Sequence, residues 1–180
     1  MNAGRPRGIV IFGLNGAGKS TLGRELARIL GYKYMDPEDY CFEESDIPYS
    51  RPRPRADLLR LMLADIEKYR SFVLSTVMDD LGGAITRYYE LACHIAAPKE
   101  LRLERVRRRN TDKFGEHVLP GGDMHEQTED FMRFVSSRPA EPVEEWRGTL
   151  KCPVIDVDGT VDWRVNAAGI KERYIEMEIK

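Results

Sequence analysis

The stretch GLNGAGKST, Gly13 to Thr21, follows directly on the apolar run Ile9-Val10-Ile11-Phe12 and constrains this chain more than any other segment. A continuous apolar run bounded by turn residues marks a strand buried on both faces of a parallel sheet. The residues after it match G-x-x-x-x-G-K-[ST] in full, at Gly13, Gly18, Lys19 and Ser20. Glycines allow the backbone to wrap an anion with several N–H groups pointing inward. A helix expected from Lys19 to Leu30 adds its positive N-terminal end at the same place. The lysine can reach the outer phosphates and the serine hydroxyl can ligate Mg²⁺. Gly13, Asn15, Gly16, Ala17, Gly18, Lys19, Ser20 and Thr21 are therefore the expected phosphate-binding set. A plain Gly-rich turn would not require both this spacing and a buried strand before it.

Beyond the loop the pattern alternates. Leu22, Leu26, Ile29 and Leu30 lie at helical spacing, with Gly31 as the stop. Tyr32–Met35 reads as a second strand, Phe72–Leu74 as a third, Leu91–Ala96 as a fourth and Pro153–Val157 as a fifth. Between them, SRPRPR (Ser50–Arg55) is held extended by its prolines, and ADLLRLMLADIEKY resumes helix. Pro98 opens a charged helix, KELRLERVRRR, after which Asn110–Met124 turns polar and Gly-rich and is expected to be a mobile excursion. Helices are expected over Gln127–Ser136, around Glu144–Trp146, and after the fifth strand. Strands alternating with helices predict an α/β domain with a parallel sheet and right-handed crossovers. With no repeat or linker, residues 1–180 are expected to form one domain.

Composition narrows the partners. A formal charge of −2 exerts no global pull on nucleic acid or anionic membrane. Cys41, Cys93 and Cys152 fit neither a disulfide framework nor a metal spacing, which suits a reducing compartment. No apolar stretch approaches the roughly 20 residues of a membrane span, and no signal-peptide core opens the chain. A cytoplasmic location is the expectation; no motif sets an oligomeric state.

The loop alone does not choose among nucleotide-binding classes. No [NT]KxD motif lies between the fourth and fifth strands, and Asp156-Val157-Asp158-Gly159 spells DxxG only after the last strand. There is no hhhhDE run of a motor or ABC ATPase. The arginine-rich helix and the excursion after it lie between strands four and five, where phosphotransferases carry a closing lid.

Taken with the acidic turn MDPEDY after strand two and CPVIDVDGT near the end, this pattern resembles the nucleoside monophosphate kinase superfamily. Within it, the chain is similar to the small-molecule branch of shikimate and gluconate kinases and kinase-like AAA proteins. The resemblance implies a three-layer P-loop fold with a five-stranded sheet of order 2-3-1-4-5 and an Arg-rich lid, here near residues 110–137. It also implies ATP and Mg²⁺ as cofactors, with the γ-phosphate passed to a small-molecule acceptor. A nucleotide-binding regulator or an ATPase without a metabolite acceptor is the competing reading.

The same resemblance suggests roles. Lys19, Asp36 and Arg109 are the catalytic candidates, and Ser20 and Asp36 the metal candidates. The family's D-x-D after strand two is altered here to Asp36-Pro37-Glu38, with Asp39 next, and a helix-capping turn would use the same residues. Arg102, Arg105 and Arg109 share one helical face, and the spacing of Arg105 and Arg109 matches a family pair that grips adenine and phosphates. Asp39, Arg53 and Arg138 are the acceptor-binding candidates. Arg51 and Arg55 flank Arg53 in the same extended stretch, and Arg133 precedes Arg138. Thr76, Asp79 and Asp80 follow strand three, where caps and ligand contacts compete. His94 reads as a core residue, and His117 and His125 flank the lid.

Overall fold

Four consecutive apolar residues with alternating side-chain directions must bury both faces of a strand, and the structure is built around that requirement. The computed structural model describes residues 5–42, 51–78 and 83–178. Among these, β1 (Arg7–Phe12) is the central strand of a five-stranded parallel sheet. The others are β2 (Lys33–Met35), β3 (Ser71–Thr76), β4 (Tyr89–Ala96) and β5 (Val154–Asp158). The order is β2-β3-β1-β4-β5, as the resemblance implied.

Six helices connect and cover the strands among the described residues: α1 (Lys19–Leu30), α2 (Arg55–Tyr69), α3 (Lys99–Phe114), α4 (His125–Ser137), α5 (Glu141–Thr149) and α6 (Trp163–Glu178). Ile9 and Ile11 pack on one face against Leu22 and Leu26 of α1 and Ala167 and Ile170 of α6. Val10 and Phe12 turn to the other face, against Met62 and Ile66 of α2 and Val143 of α5. Each fully buried side chain of this size is worth about 1.5–3 kcal/mol. Period-two alternation along one strand thus decides which helices lie on which side.

The segment after residue 109 departs from the sequence expectation. The excursion foreseen from Asn110 begins as helix: α3 runs on to Phe114, where Gly115 closes it with its N–H on the Thr111 carbonyl. A 3₁₀ turn at Gly115–Val118 and α4 from His125 leave few residues without regular structure. Val106, Met132 and Val135 form a small apolar cluster of their own that ties α3 to α4. Polar composition here reflects an exposed helical surface.

Gly23 shows how closely α1 sits on the sheet. A Cβ at this position would lie 2.4 Å from Ser75 Oγ and 2.8 Å from the Tyr34 ring. Ser75 is buried and its hydroxyl is committed to the Lys19 carbonyl at 3.0 Å, so neither neighbour retreats freely. Ala normally stabilises a helix interior relative to Gly. Here Gly23→Ala is expected to destabilise the protein by about 1–3 kcal/mol through overpacking, read as a lower urea midpoint; an unchanged or higher midpoint would contradict the packing described.

Candidate active site

The loop between β1 and α1 takes its shape from positions where a side chain does not fit. Gly13 has φ 144°, and a Cβ on it would meet the Ile95 carbonyl oxygen at 2.2 Å. Gly16 has φ 80°, with the Arg102 carbonyl oxygen 2.3 Å from its Cβ position. The loop therefore lies directly against the end of β4 and the first turns of α3.

Arginines then fasten its carbonyl groups. Buried Arg102 donates through Nη1 to the Asn15 carbonyl at 3.1 Å. Arg105 donates to the Ala17 carbonyl at 3.3 Å and to the Gly159 carbonyl at 2.9 Å, joining the loop to the turn after β5. Arg138 donates to the Asn15 side-chain oxygen at 3.1 Å. The N–H groups of Gly16, Gly18, Lys19 and Ser20, by contrast, donate to no acceptor among the described residues. Carbonyls held from outside and amides left open make a concave donor surface at the positive end of α1, which is the requirement for holding an anion.

The side chains strengthen that polarity. Lys19 Nζ donates to the Leu14 carbonyl at 3.0 Å. Its pKa is lowered to about 8, first by burial, with Arg109 and Arg138 pushing the same way and Asp36 and Glu38 opposing. Burial thus outweighs the nearby charges, whose opposing signs partly cancel at Lys19. Asp36 divides its two oxygens between tasks. Oδ1 accepts from the Glu38 amide at 3.2 Å and caps the 3₁₀ turn Pro37–Tyr40. Oδ2 accepts from Ser20 Oγ and from the Tyr34 hydroxyl, each at 3.1 Å. Burial pushes Tyr34 up to about 12, so the phenol remains a donor to Asp36 across the neutral range. A serine hydroxyl beside a carboxylate is a hard-oxygen pair suited to Mg²⁺. No cluster of three or more His, Cys, Asp or Glu that could hold a metal occurs among the described residues, so the remaining ligands would be phosphate oxygens and water.

The structure sorts the remaining candidates. Arg109 is exposed on α3 and makes no hydrogen bond among the described residues, yet its charge reaches Lys19. Thr21 is exposed on the first turn of α1. Asp39 lies at the surface one turn from Asp36, its pKa raised by burial and by the Asp36 charge. Arg53 is turned to the chain itself, with Nε on the Tyr40 carbonyl at 3.1 Å and Nη2 on the Phe42 carbonyl at 2.9 Å. Arg133 pairs with Asp130, and Thr76 donates to the Met78 carbonyl at 2.8 Å. Asp79 and Asp80 lie outside the described residues. His117 meets Asp123 and His125 meets the Val118 carbonyl. His94 stacks on Phe12 but faces Arg147 and Asp156 too, so it is not the plain core residue expected. Tyr34 was missed by the sequence reading, although strand alternation places it on the same face as Asp36.

The fold and this loop define a P-loop protein of the nucleoside monophosphate kinase-like type. The AAA domain family matches residues 9–126, and the chain belongs to that family. It is 28% identical over 170 residues to the uncharacterized protein YqaC of Bacillus subtilis (strain 168), covering 89% of this chain and 94% of that protein. It is 30% identical over 114 residues to the shikimate kinase of Neisseria meningitidis serogroup C (strain 053442), covering 55% of this chain and 64% of that enzyme. Among solved structures, shikimate kinase from Acinetobacter baumannii in complex with shikimate shares the fold, with a TM-score of 0.55 at 22% identity over 97% of this chain and 96% of that one. No helix among the described residues is long and apolar enough to cross a membrane.

A pH dependence follows from Lys19. Its folded pKa of about 8 lies below the ordinary 10.5, so the ligand-free protein binds fewer protons than the unfolded chain between these values and gains stability as pH rises through them. Lys19→Met removes the buried charge and is expected to raise the melting temperature at pH 7, with the difference from the parent shrinking as pH approaches 10.5. In the parent, affinity for a phosphate chain is expected to be full below pH 8 and to fall above it, with proton uptake on binding detectable by calorimetry in buffers of different ionisation enthalpy. A flat profile from pH 7 to 10 would contradict this.

Proposed function

We propose that this protein is an ATP- and Mg²⁺-dependent phosphotransferase that moves the γ-phosphate to a small-molecule acceptor, with residues 1–180 working as one catalytic domain. The observation that carries the reading is the set of open backbone N–H groups beside Lys19, which holds the Leu14 carbonyl, and Arg138, which holds Asn15, at the carboxyl ends of the strands. This is the edge where open α/β sheets collect ligands. The family membership and the shikimate kinase likeness support the same class of chemistry.

In this mechanism Gly16, Gly18, Lys19 and Ser20 hold the phosphate chain by their amides. Lys19 and Arg109 offset the charge that builds on the phosphoryl group as it leaves, where preorganised donors contribute most. Bound Mg²⁺ supplies electrostatic neutralisation of the phosphate oxygens, and Ser20 Oγ with Asp36 Oδ2 would hold it. Tyr34 keeps that carboxylate aimed at Ser20. Asp39 and Arg138 face the acceptor. Residues 110–137 serve as the lid whose closure keeps water from the transferring group.

A panel of hydroxyl-bearing metabolites, with nucleotide turnover followed by a coupled ADP assay, tests the reading. Basal ATP hydrolysis is expected to be slow and to rise sharply with one acceptor class. Lys19→Met is expected to weaken ATP binding and turnover together. Arg109→Ala is expected to lower kcat by about tenfold or more with a smaller change in KM. Full turnover in the Lys19 variant, or no acceptor that stimulates the parent, would overturn the assignment.

A further inference from the structure

A second concentration of positive charge lies at the end of the sheet opposite the phosphate loop. β1, β4 and β5 are parallel, so Arg5 before β1, Tyr89 at the start of β4 and Lys151 before β5 mark one edge, the amino edge. Together with Arg87, Trp146 and Leu150 they line a cavity of about 700 Å³, within the range of small-molecule sites. Six residues of β1 at about 3.3 Å each separate it from the loop by roughly 20 Å. The described residues of the crossover from β3 to β4 contain the 3₁₀ turn Thr86–Tyr88, and α5 borders the hollow through Trp146.

The lining is one-sided in charge. Among the described residues no carboxylate borders the cavity. Among the described residues Arg5 and Lys151 make no hydrogen bond or ion pair, and Arg87 donates to the Tyr88 hydroxyl at 2.8 Å. Arg5 and Arg87 both lie over the Tyr88 ring, at 5.9 and 4.8 Å from its centroid, which holds two guanidinium groups on the same aromatic side chain. Several exposed arginines elsewhere are matched by acids, as in Arg28–Glu25, Arg60–Asp57 and Arg70–Glu67. Arg5, Arg87 and Lys151 instead gather around one hollow with no described carboxylate paired to any of them. Beside them, Trp146 and Leu150 offer an apolar wall.

We propose that this cavity is a second ligand site, for a small phosphomonoester carrying a planar or apolar body. Arg5, Arg87 and Lys151 hold the phosphate through charge-assisted hydrogen bonds, and the indole and Leu150 cover the body. The indole also meets Phe12 edge-on at 4.9 Å, and Phe12 precedes Gly13, so the same ring borders this site and the root of the phosphate loop.

Trp146 and Trp163 are the two tryptophans of the chain, so Trp163→Phe leaves Trp146 as the single indole reporter. In that background, with Lys19→Met added to silence the phosphate loop, phenyl phosphate is expected to change the fluorescence saturably, and phenol is not. Lys151→Glu and Arg87→Glu are each expected to weaken phenyl phosphate by about tenfold or more, the scale of one charge-assisted bond, while the melting temperature stays near that of the parent. The proposal is overturned by the absence of a saturable change at millimolar phenyl phosphate, or by equal affinity in both charge-reversed variants. Phenol binding as tightly as its phosphate ester would also overturn it. So would a signal present with Lys19 and lost with Lys19→Met, which assigns the ligand to the phosphate loop.

Discussion

The arginine grip on the loop carbonyls is the interaction on which the site depends. A peptide loop carries donors and acceptors in equal number, and an anion site requires them to be separated. Arg102 and Arg105 take the Asn15 and Ala17 carbonyls, while the amides of Gly16, Gly18, Lys19 and Ser20 stay open among the described residues. Because Arg105 also holds the Gly159 carbonyl, loop, α3 and the turn after β5 are joined at one guanidinium. Binding surface and fold are thereby the same set of hydrogen bonds.

That arrangement leaves the Lys19 ammonium in a desolvated place. Burial depresses its pKa, with Arg109 and Arg138 adding to the effect and Asp36 opposing it. Stability is surrendered at the position where an incoming phosphate chain would restore it, a trade that is common at functional sites. Tyr34 and Ser20 show the complementary device, since both spend their hydroxyls keeping one carboxylate in place.

Much of this was legible beforehand, for identifiable reasons. The loop and the length of α1 follow from local rules, namely an apolar run, a fixed Gly-Lys-Ser spacing and Gly31 as a stop, whereas the strand order came from the family resemblance. The segment after Arg109 was misread because Asn, Thr, Asp and Lys are as compatible with an exposed helical face as with a loop. The shared face of Arg102, Arg105 and Arg109 was visible in their spacing. Which of them turns to protein carbonyls and which stays free depends on the distance from α3 to the loop, and spacing does not encode that. Asp36 was open to two readings, cap or metal-side carboxylate; Oδ1 makes the cap on the Glu38 amide, and Oδ2 accepts from the Ser20 hydroxyl. Arg53 was read as an acceptor contact, and its hold on the Tyr40 and Phe42 carbonyls was not legible because those partners are set by tertiary contact.

The central claim is that the open amides of this loop grip a nucleoside triphosphate's phosphates. Amide chemical shifts, recorded on ¹⁵N-labelled protein during titration with a non-hydrolysable ATP analogue and Mg²⁺, address it most directly. The account predicts that Gly16, Gly18, Lys19 and Ser20 move downfield together and saturate at one equivalent. Saturable binding that leaves those four resonances in place, or no binding at all, would contradict it.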